Sequence, residues 1–86
     1  MMTMKKLMDA FHDNKRAGEN NYEFNAFMDL CETWANNCHQ KSDAEIVEYI
    51  KPLIADYPNM FNGNVSAQEK EAMSEALLIV DIVCDL

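Results

Sequence analysis

The stretch Tyr22-Glu-Phe-Asn-Ala-Phe-Met-Asp-Leu-Cys-Glu-Thr-Trp-Ala-Asn-Asn-Cys38 decides the fold class. Advancing about 100° per residue gathers Phe24, Phe27, Met28, Leu30, Cys31, Trp34, Ala35 and Cys38 on one broad face. Asn25, Asp29, Glu32, Thr33, Asn36 and Asn37 take the other face. That partition is the signature of an amphipathic helix with one side in a core. Trp34, the single tryptophan, is the side chain whose truncation is expected to cost most, about 3–5 kcal/mol.

Working outward, Met4, Leu7, Met8 and Phe11 recur at helical spacing upstream. They predict a first helix from about Thr3 to Ala17, with Thr3 as N-cap and Gly18 as a left-handed terminator. Downstream, Ser42-Asp-Ala-Glu45 is a capping-box pattern, in which each side chain satisfies a free backbone N–H of the other residue. Ile46, Val47, Ile50, Leu53, Ile54 and Tyr57 follow it as a buried stripe. Pro52 falls opposite that stripe, so the third segment reads as one helix kinked at Pro52 and closed by Pro58. Residues 58–65 read as a loop, with Asn62-Gly63 suited to a turn of positive φ.

A second capping box, Ser66-Ala-Gln-Glu69, opens the last segment. Ala72, Met73, Ala76, Leu77, Ile79, Val80, Val83 and Cys84 form its core-facing arc. The β-branched run Leu77–Val83 would also suit a strand, but the cap and the helical period favour a helix. Leu78, Ile82 and Leu86 make a narrower stripe on the opposite side, beside Glu71, Glu75 and Asp85. Short connections make neighbouring helices antiparallel. The reading is all-α: a small four-helix bundle or irregular four-helix cluster, a single acidic helical domain over residues 1–86.

Charge is distributed unevenly. Lys5, Lys6, Lys15 and Arg16 stand in the first sixteen positions against Asp9 and Asp13. From Ala17 onward thirteen acidic residues face three basic ones, within a net charge of −8. Such a surface repels nucleic acid and anionic lipid, and attracts basic protein surfaces over a Debye length of ~8 Å. The partner expected is therefore a protein with a basic surface, with no direct nucleic-acid contact. No run of about 18 apolar residues is present to span a membrane, and the N-terminal residues lack the apolar core of a signal peptide. Three cysteines exclude a fully paired disulfide framework. Cys31 and Cys38 would stand about 10.5 Å apart along one helix, beyond bridging distance. Reduced thiols in the core of a cytoplasmic protein is the expectation.

Sites of chemistry are sparse. Cys38-His39 has zinc-ligating atoms, but adjacent helical residues diverge and no Cys-x2-4-Cys pair supports them. Asn62, Gly63 and Glu69 match three positions of a calcium loop, but Pro58 and Met60 fall where carboxylates are needed. No glycine-rich phosphate loop, nucleophile elbow or HExxH motif is present. Carboxylates such as Asp29/Glu32 and Glu45/Glu48 read as a solvated helix face. The sequence points away from an enzyme, a metal site and a cofactor.

Ser42-Asp-Ala-Glu-Ile-Val-Glu-Tyr-Ile50 resembles the second helix of the colicin nuclease immunity proteins, acidic four-helix domains of similar length. Asp56-Tyr57-Pro58 is similar to their tyrosine-rich motif, with one tyrosine where that motif has two and without the acidic loop behind it. The likeness covers under a third of the chain and does not establish membership. Size and charge are also similar to those of many phage-encoded inhibitors, including anti-CRISPR and anti-restriction proteins, a class likeness with no shared motif.

Two functional expectations follow. The first is an antagonist or adaptor that blocks a basic, nucleic-acid-binding type of site by electrostatic mimicry. Its candidate face is Asn25, Asp29, Glu32 and Asn36 with Glu45, Glu48 and Asp56. The second is a self-associating structural or regulatory module, a homodimer built on Leu78, Ile82 and Leu86.

Overall fold

The computed structural model describes residues 2–84; Leu86, the end of the apolar stripe, and Asp85 beside it lie outside them. Four helices carry the fold: α1 (Met2–Asp13), α2 (Tyr22–Asn36), α3 (Asp43–Asp56) and α4 (Ala67–Val83). Two 3-10 turns, Glu19–Asn21 and Tyr57–Phe61, join them, and there is no strand among the described residues. The Leu77–Val83 run is helical: a fixed capping box starts the segment, and Val80 and Ile79 find the core by helical spacing.

Both capping boxes form. Ser42 N–H donates to Glu45 Oε1 at 2.8 Å and Glu45 N–H to Ser42 Oγ at 3.2 Å. Ser66 and Glu69 repeat the exchange at 2.9 and 3.1 Å. α3 runs through Pro52 as a single helix, with the ring on its exposed side. α3 stops at Asp56, where Pro58 has no N–H to donate to the Ile54 carbonyl and Tyr57 N–H takes it instead; Pro58 itself lies inside the 3-10 turn that replaces the first part of the expected loop. Asn62 (φ 55°) and Gly63 (φ 80°) do take positive φ, the conformation expected of that pair.

Helix ends elsewhere depart from the sequence reading. Thr3 lies inside α1 rather than at its cap. α1 stops at Asp13, where the backbone and side-chain N–H groups of Asn14 both donate to the Ala10 carbonyl. Gly18 has φ 102° and ψ 156°, so it is not a left-handed cap; it leads into the 3-10 turn at Glu19. α2 ends at Asn36, two residues early, through the tighter bonds Asn37 N–H to Trp34 O and Cys38 N–H to Ala35 O.

α2 and α4 each pack on the other three helices and form the centre of the cluster. α3 and α4 are antiparallel, since Lys51 pairs with Asp81 at one end and Tyr57 with Glu69 at the other. The core holds Leu7 and Phe11 of α1, Phe24, Phe27, Met28, Cys31 and Ala35 of α2, and Ile46, Ile50 and Ile54 of α3. Ala72, Ala76, Ile79 and Val80 of α4 complete it, together with Cys38 and Cys84 just past the ends of α2 and α4. Small alanines at 72 and 76 let α4 approach its neighbours closely, while Phe11 and Phe24 fill the space. Trp34 is only half-buried, meeting Phe27 edge-on at 6.1 Å. It is at the margin of the core rather than its largest member, because the α2 face is wider than the surface the other helices cover.

Candidate functional site

The basic N-terminal residues fold back onto the acidic face of α2. Lys15 Nζ bridges Asp29 and Glu32, the latter at 3.2 Å, and His12 Nδ1 stands 3.5 Å from Glu32. The two carboxylates hold the Lys15 ammonium above its ordinary pKa, chiefly through the hydrogen bond to Asp29. Asp29, Glu32, Thr33 and Asn36 border one shallow depression together with Met8. Asn25 is engaged internally: its carboxamide accepts from the Arg16 backbone N–H at 2.8 Å and donates to the Arg16 carbonyl at 2.7 Å.

Arg16 itself is a joint. Its guanidinium lies 3.9 Å from the centre of the Phe24 ring and 2.9 Å from Glu71 of α4. Its hydrogen bond holds the Glu71 carboxyl below its usual range. Nearby, Gln68 of α4 accepts from Phe24 N–H at 3.1 Å and donates to the Asn20 carbonyl. Gln68 thus caps α2, whose own Asn21 provides no side-chain cap.

The third-helix carboxylates are set differently. Glu45 caps α3, and its bonds to Ser42 hold it below the ordinary carboxylate value. Glu48 makes no ion pair, and Asp56 accepts only from the Asn59 amide, among the described residues. Glu48, Tyr49, Pro52, Leu53, Asp56 and Met60 border an open groove of about 550 Å³ whose surface is mainly apolar. Met60 is 58% exposed, on the 3-10 turn that packs against α3. The proposed acidic face therefore divides: Asp29, Glu32 and Asn36 of α2 border one depression, with Lys15 bound to the two carboxylates, Asn25 lies outside it, and Glu48 and Asp56 border another.

On α4, Leu78 is 52% and Ile82 68% exposed, where the stripe reading puts them. Of the charges near them, Glu71 is paired with Arg16 and Asp81 with Lys51. The groove on α3 was missed from sequence. The signal available was Met60 and Pro52 falling outside the buried stripe, but only the 3-10 turn brings Met60 beside α3.

All three cysteines are buried and unbridged, and burial pushes each thiol pKa up. Protonated thiols away from solvent are poor nucleophiles. Comparison with protein-family models, curated proteins and solved structures finds no match to this chain. The Ser42–Ile50 segment that resembles immunity proteins is the capping box and first two turns of α3, a pattern that helix capping and core packing account for without kinship.

Proposed function

We propose that this is a small, non-catalytic acidic binding protein, an antagonist or adaptor that occupies a basic site on a partner protein. The observation that carries this reading is the row Glu45, Glu48 and Asp56 along the outer face of α3. All three are exposed, and none has a cation within ion-pair distance among the described residues. Carboxylates fixed on a helix keep their spacing as a partner approaches, and they accelerate encounter more than they tighten the final complex. Basic sites that otherwise hold nucleic acid are the natural targets of such a row, which would compete with phosphates for the same lysines and arginines. Asp29 and Glu32 contribute less, because Lys15 already answers them.

The test is association kinetics with the partner recovered by crosslinking in the cells that make the protein. Glu45→Gln, Glu48→Gln and Asp56→Asn together preserve shape and the Glu45 cap while removing three charges. The triple variant should associate several-fold more slowly at low salt, and Asp29→Asn with Glu32→Gln should do so less. Equal association rates for wild type and triple variant would overturn the reading.

The exposure of Leu78 and Ile82 favours a second reading, self-association through α4. Pairing of Glu71 and Asp81 within the chain lowers the like-charge penalty that two such faces would otherwise meet. Light scattering on the eluting protein decides it.

A further inference from the structure

We infer that the groove between α3 and the Tyr57–Phe61 turn is the docking site for a partner segment that presents an apolar side chain next to a lysine or arginine. This rests on the acidic-binder reading above and names its point of contact. The groove offers an apolar surface, formed by Tyr49, Leu53 and Met60, with acceptors at its rim. Pro52 is the key residue. A helix residue at position 52 would donate to the carbonyl of Glu48, and proline has no N–H to give. That carbonyl is left without its helix partner on the same side as the groove, since Glu48 and Pro52 both border it.

Three acceptors thus border the groove: the Glu48 carbonyl and carboxylate toward one end and, about 12 Å further along the helix, the Asp56 carboxylate. Asp56 is the last residue of α3, where the terminal carbonyls add partial negative charge. No cation of the described residues pairs with Glu48 or Asp56. An ammonium or guanidinium group satisfies such acceptors, and the adjoining methionine and leucine suit the apolar residue beside it. Phosphates and carboxylates are repelled by the same rim. Charge complementarity therefore selects a basic, apolar-anchored segment over an anionic ligand.

The probes are an amphipathic peptide of leucine and lysine only and an oligolysine of equal charge, titrated at low salt into the isotope-labelled protein. The expected result is that the leucine-lysine peptide shifts the amides of Tyr49, Leu53 and Asp56 and the Met60 methyl, and binds more tightly than oligolysine. Met60→Ser and Glu48→Gln should each weaken it about tenfold, equivalent to roughly 1.4 kcal/mol. Met60 is largely exposed, so its variant should otherwise keep the wild-type spectrum. Shifts spread over all the acidic residues with either probe, unaffected by Met60→Ser, would overturn the groove while leaving the electrostatic reading standing. Shifts centred on Leu78 and Ile82 would also overturn it. Binding of neither probe would overturn both.

Discussion

The Tyr57 hydroxyl donates to Glu69 Oε2 at 2.7 Å while the other oxygen of that carboxylate accepts the Ser66 backbone N–H at 2.9 Å. One side chain thus closes the start of α4 and anchors the turn that follows α3. The Tyr57 ring also meets Phe27 edge-on at 4.7 Å, so α2, α3 and α4 share this residue. Tyr57→Phe keeps the ring contact and removes the hydroxyl. It should lose about 1–2 kcal/mol in urea unfolding, toward the low end for a hydrogen bond to a charged group because the pair is only partly buried. A loss indistinguishable from zero would mean that water replaces the hydroxyl without cost.

Acid should destabilise through the caps. Hydrogen bonds from Ser66, then from Tyr57, hold Glu69 below the ordinary carboxylate value of 4.5. Bonds from Ser42 do the same for Glu45. A carboxyl depressed in the folded state adds stability that is present above the unfolded value and lost as pH falls through the folded one. The melting temperature should therefore fall on acidification below 4.5, and Glu69→Gln should flatten that decline. Burial, with Glu69 second, pushes the Tyr57 phenol up to about 12. Its contribution has the opposite sense, being complete below its usual value of 10.0 and lost as pH rises through about 12.

Phe24, not Trp34, should be the costly aromatic. Phe24 is 1% exposed and has Arg16 stacked on it, whereas Trp34 is half-buried. Phe24→Ala should lose about 3–5 kcal/mol and Trp34→Ala clearly less, by chemical denaturation of both. The reverse order would put Trp34 back at the centre of the core.

Gln68→Ala leaves the Phe24 N–H without its acceptor at the start of α2. Amide exchange at Phe24 should accelerate, and stability should fall by about 1 kcal/mol, as when a helix cap is removed. Unchanged exchange at Phe24 would mean that another group takes over the cap.

Leu78→Ser with Ile82→Ser should leave stability within about 0.5–1 kcal/mol, since both side chains face solvent in the monomer. Any concentration-dependent mass seen by light scattering should disappear. An unfolded double variant would show that the stripe is core.

What was legible in the sequence was local. Ser42/Glu45 and Ser66/Glu69 are three residues apart, and each box forms because both partners travel on the same turn. The α2 face was legible because Phe24, Phe27, Met28 and Cys31 repeat at helical spacing and all four reach the core. Trp34 misled because periodicity assigns a face but not how far its neighbours cover it. The end of α1 misled because Asn14, with no special backbone conformation, closes the helix before Gly18 is reached. Least legible was the fate of charge. Lys15 with Asp29 and Glu32, and Arg16 with Glu71, meet only after the helices pack. The candidate face was consequently drawn across α2 and α3 as one surface, when Lys15 answers its α2 part.

The cap that Gln68 places on α2 has a bearing on how the chain matures during translation. Gln68 follows Phe24 by 44 residues, and Glu71 follows Arg16 by 55. While α1 and α2 emerge from the ribosome, the joint between them lacks both its acceptor and its counter-ion. Translation of α4 supplies the two together, so the first two helices are locked by the fourth. A nascent chain halted before residue 68 would leave the Phe24 N–H at the beginning of α2 without its acceptor, and synthesis of α4 would supply it.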